Sequence, residues 1–292
     1  FFGCLDSDSL VHPQSLKRLM CTFEVNPNIM AVVPSIIVLN PKNVLQSAQK
    51  VEYEMAIYIK KMLGFMGGIH VTPGPLSIFK RKVFDNLGPY RKAHNTEDQE
   101  IALRMQEHGY QIDHCPDAYV YTMTPHSIPR LYRQRLRWVY GFIKNVVDYR
   151  RLIFKRKYGT VAFFTIPSGI ISIISVLFIF STLAYNIVSF IYNKISQINL
   201  VGISNLHAFK FDWFFFNTKT ILFFSIILYL LLFTAMIIGR KMVNEKRALT
   251  INILYFMIIY SVAAPFWLFR AIYNAIISKE SSWTMERLPS NT

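Results

Sequence analysis

Leu131-Tyr-Arg-Gln-Arg-Leu-Arg-Trp-Val-Tyr140 is the stretch on which the chain turns. Upstream of it the sequence has the pattern of a soluble α/β protein. Downstream it soon becomes membrane-like. As a helix, the stretch sets Gln134, Arg137 and Trp138 at i, i+3 and i+4, on one face. That face offers an amide, a planar guanidinium that can grip a phosphate through two bonds, and an indole wall. The C–H faces of a sugar ring stack on such a wall, so a sugar, a phosphate or both suit it. The structural alternative is a basic amphipathic helix lying on lipid headgroups, with Trp138 as an interface anchor.

Working outward, the 292 residues suffice for one soluble domain and a membrane part. Mean hydropathy is +0.28, and the apolar residues gather after Gly159, which favours membrane spans over one large core. The net charge of +15 suits anionic lipid, phosphate-bearing substrates or both. Nucleic acid is the less favoured partner. Arg150, Arg151, Lys155, Arg156 and Lys157 cluster beside apolar segments, where lipid is the nearer anion. Cys4, Cys21 and Cys115 are scattered, odd in number and without a Cys-x-x-Cys pair, so they imply neither a disulfide framework nor a zinc site. The chain opens at Phe1 inside an apolar run and shows no signal peptide.

The run at 1–5 has the character of a buried strand's end. Asp6-Ser-Asp8-Ser9 follows it, placing two carboxylates where open α/β sheets bind ligands. Such a pair suits a hard divalent cation. Equally, Asx and Ser chemistry there would turn the chain and cap a helix at 13–26. A strand is expected at 30–39 and a helix at 43–63. The Gly- and Pro-rich loop at 64–74 leads through Val71-Thr-Pro-Gly-Pro75 to short elements at 76–79 and 81–87. His70 there has the look of a structural histidine. Asn95 or Thr96 is placed to cap a helix whose first turn holds Glu97 and Asp98, where carboxylates face the helix dipole favourably. A carboxylate projecting from that turn into a cleft can also act as a general base. Two short strands are expected at 112–115 and 118–122.

After the central stretch the helix should continue along the membrane interface to the basic cluster. Three apolar segments follow, at 161–192, 221–239 and 251–269, and a span takes about 20 residues. Lys and Arg flank the first segment and fill the loop at 240–250, which places both on the cytoplasmic side. Counting three crossings then puts the tail outside.

Together, in this order, Asp6-Ser-Asp8, Val71-Thr-Pro-Gly-Pro75 with Phe79-Lys-Arg81, Thr96-Glu-Asp98 and Gln134-Arg-Leu-Arg-Trp138 resemble the membrane-integral family 2 glycosyltransferases. Cellulose, chitin, hyaluronan and poly-N-acetylglucosamine synthases belong to that group. The resemblance implies an α/β GT-A-like domain whose N-terminal half lies upstream of this chain, followed by an interface helix and transmembrane helices. The expected division is 1–129, 130–158, 159–278 and a tail at 279–292.

The resemblance also implies roles. Asp6 and Asp8 would hold Mg²⁺ or Mn²⁺ on the diphosphate of a nucleotide sugar, expected to be a UDP-sugar. Asp98 would be the base, with Glu97 beside it. Gln134, Arg137 and Trp138 would hold diphosphate and acceptor, with Thr72, Gly74 and Pro75 bordering the acceptor site. Some of these synthases carry a C-terminal Trp-Gly-Thr-Arg element. Ser282-Trp-Thr-Met-Glu-Arg287 matches it loosely, which adds Trp283 and Arg287 as candidates. Were it to serve, the tail would be cytoplasmic and the segment at 161–192 would cross twice or lie partly in the interface. The implied activity is inverting transfer onto a growing β-linked polysaccharide at the cytoplasmic face of a multi-pass membrane protein. The rivals are single-sugar transfer to a lipid or short glycan acceptor, and a non-catalytic membrane-anchored scaffold.

Overall fold

The computed structural model describes residues 1–201, 218–243 and 250–278. Its soluble part is a five-stranded mixed sheet in the order β1-β4-β3-β5-β2. The strands are β1 (Phe2–Gly3), β2 (Ser9–Val11), β3 (Ile29–Val38), β4 (Ile78–Phe79) and β5 (Gln111–Thr122). Only β3 and β5 are parallel; β1, β2 and β4 join antiparallel. Alternation along β3 and β4 serves two cores. Ala31, Val33 and Phe79 face α3 (Arg81–Leu87) and α4 (Glu97–Glu107), where they meet Val83, Ile101 and Met105. Val32 and Ile78 face the opposite way, onto Leu19 and Phe23 of α1 (Ser15–Val25). Each of the larger side chains among these contributes about 1.5–3 kcal/mol by its burial.

Two expectations about strands change. The run at 1–5 is not a buried strand end: Phe2 and Gly3 are exposed at the edge of the sheet. The two strands expected at 112–115 and 118–122 are one strand, broken in register where Pro34 pairs with Cys115 and Ser35 with Tyr119. Pro34 and Pro116 have no N–H for a ladder. Ser35 Oγ repairs the gap by donating to the Pro116 carbonyl at 2.8 Å, with His114 Nε2 at 3.1 Å.

Helix α2 (Val44–Phe65) ties the soluble part to the apolar helices. Asn43 caps it, accepting from the Gln46 N–H at 2.8 Å. One face of α2 packs on the sheet. Another carries Ala48 and Val51 against Met236 of α7 (Thr218–Met242) and Ile253 and Phe256 of α8 (Ile251–Ile276). The central stretch lies in α5 (Ile128–Asp148), with Pro129 in its first turn. A five-residue π-helical segment, Val161–Thr165, runs straight into α6 (Ile166–Val201). The segment at 161–192 is therefore one continuous helix and does not cross twice. Helix α6 is 36 residues long, about 54 Å at 1.5 Å per residue, well beyond an apolar layer of about 30 Å. Two helical stretches, Val161–Asn193 and Ile251–Ile276, are long and apolar enough to cross a membrane among the described residues; α7 is apolar as well.

Candidate active site

Four segments meet around the end of the sheet. The first is the turn after β1. Its Ser9 N–H donates to the Asp6 carbonyl at 3.1 Å, and Ser9 Oγ to Asp8 Oδ1 at 3.3 Å. Asp6 and Asp8 are both exposed. They do not cap α1, whose N-cap position is Gln14. This leaves two carboxylates, the hard oxygen donors that could hold a divalent cation.

The second segment is the loop at 70–76. Thr72 is buried and donates twice to the Asp98 carbonyl, from its N–H at 3.1 Å and its hydroxyl at 2.9 Å. Leu76, at φ +57°, donates its N–H to the Cys4 carbonyl at 2.6 Å. The loop is thus laced to Asp98 on one side and to the approach to Asp6 on the other. Between these ties, a Cβ on Gly74 would stand 2.9 Å from Asp6 Oδ1 and 3.3 Å from Oδ2. A side chain there would have to push the Asp6 carboxylate aside, so glycine lets the backbone pass against it. Pro75 beside it is buried.

The third is the start of α4. His94 and Asn95 enter it at φ +52° and +60°, in the left-handed region. Thr96 holds the N-cap position without capping. Its hydroxyl donates to the Ala93 carbonyl at 3.2 Å and accepts from Asn145 Nδ2 at 2.9 Å. Glu97 is exposed and Asp98 is half-buried, its Oδ1 accepting from the Gln99 N–H at 2.9 Å.

The fourth is α5. Gln134, Trp138, Gly141, Asn145 and Tyr149 recur every three or four residues, so one stripe both presents the candidate residues and docks the helix. A Cβ on Gly141 would stand 2.1 Å from Thr96 Oγ1. Tyr149 donates to Glu100 Oε1 at 2.5 Å. Gln134 Oε1 is buried with no hydrogen-bond partner among the described residues, which leaves an acceptor open to a ligand's O–H. Trp138 carries the Arg135 guanidinium over one face of its ring, 4.2 Å from the centroid.

Electrostatics joins these parts. Partial desolvation where Gly74 passes the otherwise exposed Asp6, then the charges of Asp8 and Glu97, raise its carboxyl, and Arg137 opposes them. Burial and Glu97 push Asp98 up to about 6, against the Gln99 N–H, Arg137 and Lys60. Burial lowers Lys60 of α2 to about 8, with Asp98 opposing. Burial and Lys60 hold His70 down at about 4, so it is neutral, consistent with a structural histidine. The structure therefore brings Asp6, Asp8, Glu97, Asp98 and Arg137 into one interacting cluster, with Gly74 and Thr72 touching its members. Lys60 belongs to it, and Arg135 lies beside it under the Trp138 ring; neither was singled out in the sequence, where each is one charged residue within a helix. Trp283 and Arg287 lie outside the described residues.

Residues 1–269 match the family model described as Glycosyl transferase family group 2. The chain belongs to that family. Among curated relatives, the chain is 25% identical over 226 residues to the poly-β-1,6-N-acetyl-D-glucosamine synthase of Staphylococcus epidermidis, covering 77% of this chain and 52% of the relative. It is 27% identical over 139 residues to the enzyme of the same name from Staphylococcus aureus strain COL, covering 47% of this chain and 34% of the relative. The chain thus spans about half the length, or less, of the curated relatives it matches. Among solved structures, the mannosyltransferase PcManGT from Pyrobaculum calidifontis, in complex with GDP-Man and Mn²⁺, is similar at a TM-score of 0.45 and 13% identity, covering 95% of this chain and 62% of that one.

Proposed function

We propose that the protein moves a sugar, with inversion, from a nucleotide sugar to the end of a growing β-linked polysaccharide, at the cytoplasmic face of a membrane that its apolar helices cross. One observation carries this: the loop at 70–76 is bonded to Asp98 through Thr72 and passes against Asp6 at Gly74, and Arg137 and Glu97 act on both carboxyls. Asp98 takes the proton of the acceptor hydroxyl as its oxygen attacks the anomeric carbon. The bond to the diphosphate breaks, and the diphosphate leaves with the electron pair. Arg137 faces the negative charge that develops. The open Gln134 acceptor orients a hydroxyl, and the face of Trp138 away from Arg135 stacks a sugar.

Asp6 and Asp8 fit a divalent cation, Mg²⁺ or Mn²⁺. They are paired and exposed, and their mutual repulsion would be relieved by a double positive charge. When bound, the cation supplies further charge to the diphosphate. Among the described residues no group of three or more His, Cys, Asp or Glu is placed to hold a metal. Substrate oxygens and water would therefore complete the shell, as suits Mg²⁺. The names of the relatives favour a polymer of N-acetylglucosamine, so UDP-N-acetylglucosamine is the first donor to test.

A lipid-linked acceptor is the second reading. It is favoured by an apolar groove between α5 and α8, lined by Ile128, Tyr132, Phe266, Trp267, Arg270 and Tyr273. One experiment separates the readings. Membranes carrying the protein at its natural length are given radiolabelled UDP-N-acetylglucosamine, and the product is sized on a gel. Long chains, lost in excess EDTA and in Asp8→Ala, are expected. Single-sugar products extractable into organic solvent would replace polymer synthesis by lipid glycosylation. Full synthesis in EDTA would remove the cation from the mechanism.

A further inference from the structure

Beneath Trp138 lies a polar knot that neither the family match nor the proposed chemistry requires. Arg135, 6% exposed, is gripped by Glu52 of α2 with Nη2 at 2.6 Å from Oε2. Its Nη2 also stands 3.3 Å from the Tyr260 hydroxyl of α8, and that hydroxyl donates to the same Glu52 oxygen. Phe256 and Trp267 pack on the Tyr260 ring, at 4.7 and 5.9 Å between centroids, and fix it within α8. Glu52, Arg135 and Tyr260 thus form a closed triangle with one corner on each of three helices. The guanidinium plane is set by two bonds and presented to the indole at 4.2 Å. A cation that is desolvated and held in place fixes a ring far better than a mobile surface charge does.

We propose that Arg135 is a positioning residue: clamped between Glu52 and the membrane-helix Tyr260, it fixes the plane of the Trp138 indole, so that the setting of α8 determines the shape of the acceptor platform. The inference rests on the reading of Trp138 as an acceptor wall. Its physical content does not, since it concerns the order of one ring. Lysine at 135 keeps the charge and loses the planar fork. Phenylalanine at 260 keeps the ring packing and loses the hydroxyl.

The test uses the full-length protein in detergent and in membranes. Fluorescence belonging to Trp138 is isolated as the emission lost in Trp138→Phe, and its quenching by acrylamide is measured. Arg135→Lys and Tyr260→Phe should raise that quenching about two- to threefold. In transfer assays both should raise KM for an added oligosaccharide acceptor by about three- to tenfold, the worth of one cation–π contact, with donor KM unchanged. In a Trp138→Phe background the two changes should have no further effect on acceptor KM. Unaltered quenching in Arg135→Lys overturns the positioning. Altered quenching with unaltered acceptor KM supports it and overturns the acceptor role of Trp138 on which the platform reading depends.

Discussion

Asp98 shows how much one carboxylate's work depends on its neighbours. A base must be deprotonated to act, and burial with Glu97 holds this one at about 6. Rates should therefore fall tenfold per pH unit below about 6 and level off above it. Glu97→Gln removes a repelling charge, so the acid limb should move to lower pH. Lys60→Met removes an attracting one, and the limb should move higher. A pH profile of kcat/KM on each variant checks both directions. Asp98→Asn keeps the size and should reduce turnover at least about a hundredfold with donor binding retained. Wild-type turnover in that variant would move the base to Glu97. Arg137→Lys should be nearly as severe, because an ammonium cannot reproduce a two-pronged grip; near-normal polymer would return α5 to the role of a lipid-surface helix. These residues were legible because chemistry constrains their type and spacing. Lys60 was not: a lysine in a helix shows its target only once the helix is folded against His70 and Asp98.

Among the elements, α5 decides most. Its spacing announced one face, and the folded chain extends that face through Gly141, Asn145 and Tyr149 onto α4. The residues that expose the site and those that seat the helix are thus the same stripe. Gly141→Ala would drive a methyl into Thr96, with no room at 2.1 Å, and should destabilise the protein by about 1–3 kcal/mol. A lower thermal midpoint in detergent, partly restored by adding Thr96→Ala, checks this. The cap at Thr96 misled for a related reason. Sequence supplies a threonine in the right place, yet Asn145, 49 residues away, claims its hydroxyl. The strand at 111–122 misled because Pro116 mimics a break that Ser35 bridges from the neighbouring strand.

At the scale of the molecule, the apolar segments at 161–192, 221–239 and 251–269 were visible in the sequence and fall in helices α6, α7 and α8, because a long apolar run needs no tertiary knowledge. The manner of their attachment could not. It lies in α2, whose second face meets α7 and α8. Alkaline carbonate should leave the protein in the membrane pellet, and release into the supernatant would remove the membrane reading. The deepest link is an ion pair: Glu54 of α2 and Arg240 of α7 lie 3.4 Å apart with side chains 2% and 3% exposed. Arg240→Leu removes one of the cations that face the buried Glu54 carboxylate and leaves Lys50 at 3.7 Å; it should lower stability, while Glu54→Leu with Arg240→Leu should recover much of the loss. Chemical unfolding of the three variants in detergent checks the pattern.

That ion pair also imposes an order on biosynthesis. Glu54 leaves the ribosome long before Arg240, and in the interval Lys50, 3.7 Å away in the finished helix, is its nearby cation. The buried pair that ties α2 to α7 forms only once the chain has been made through Arg240.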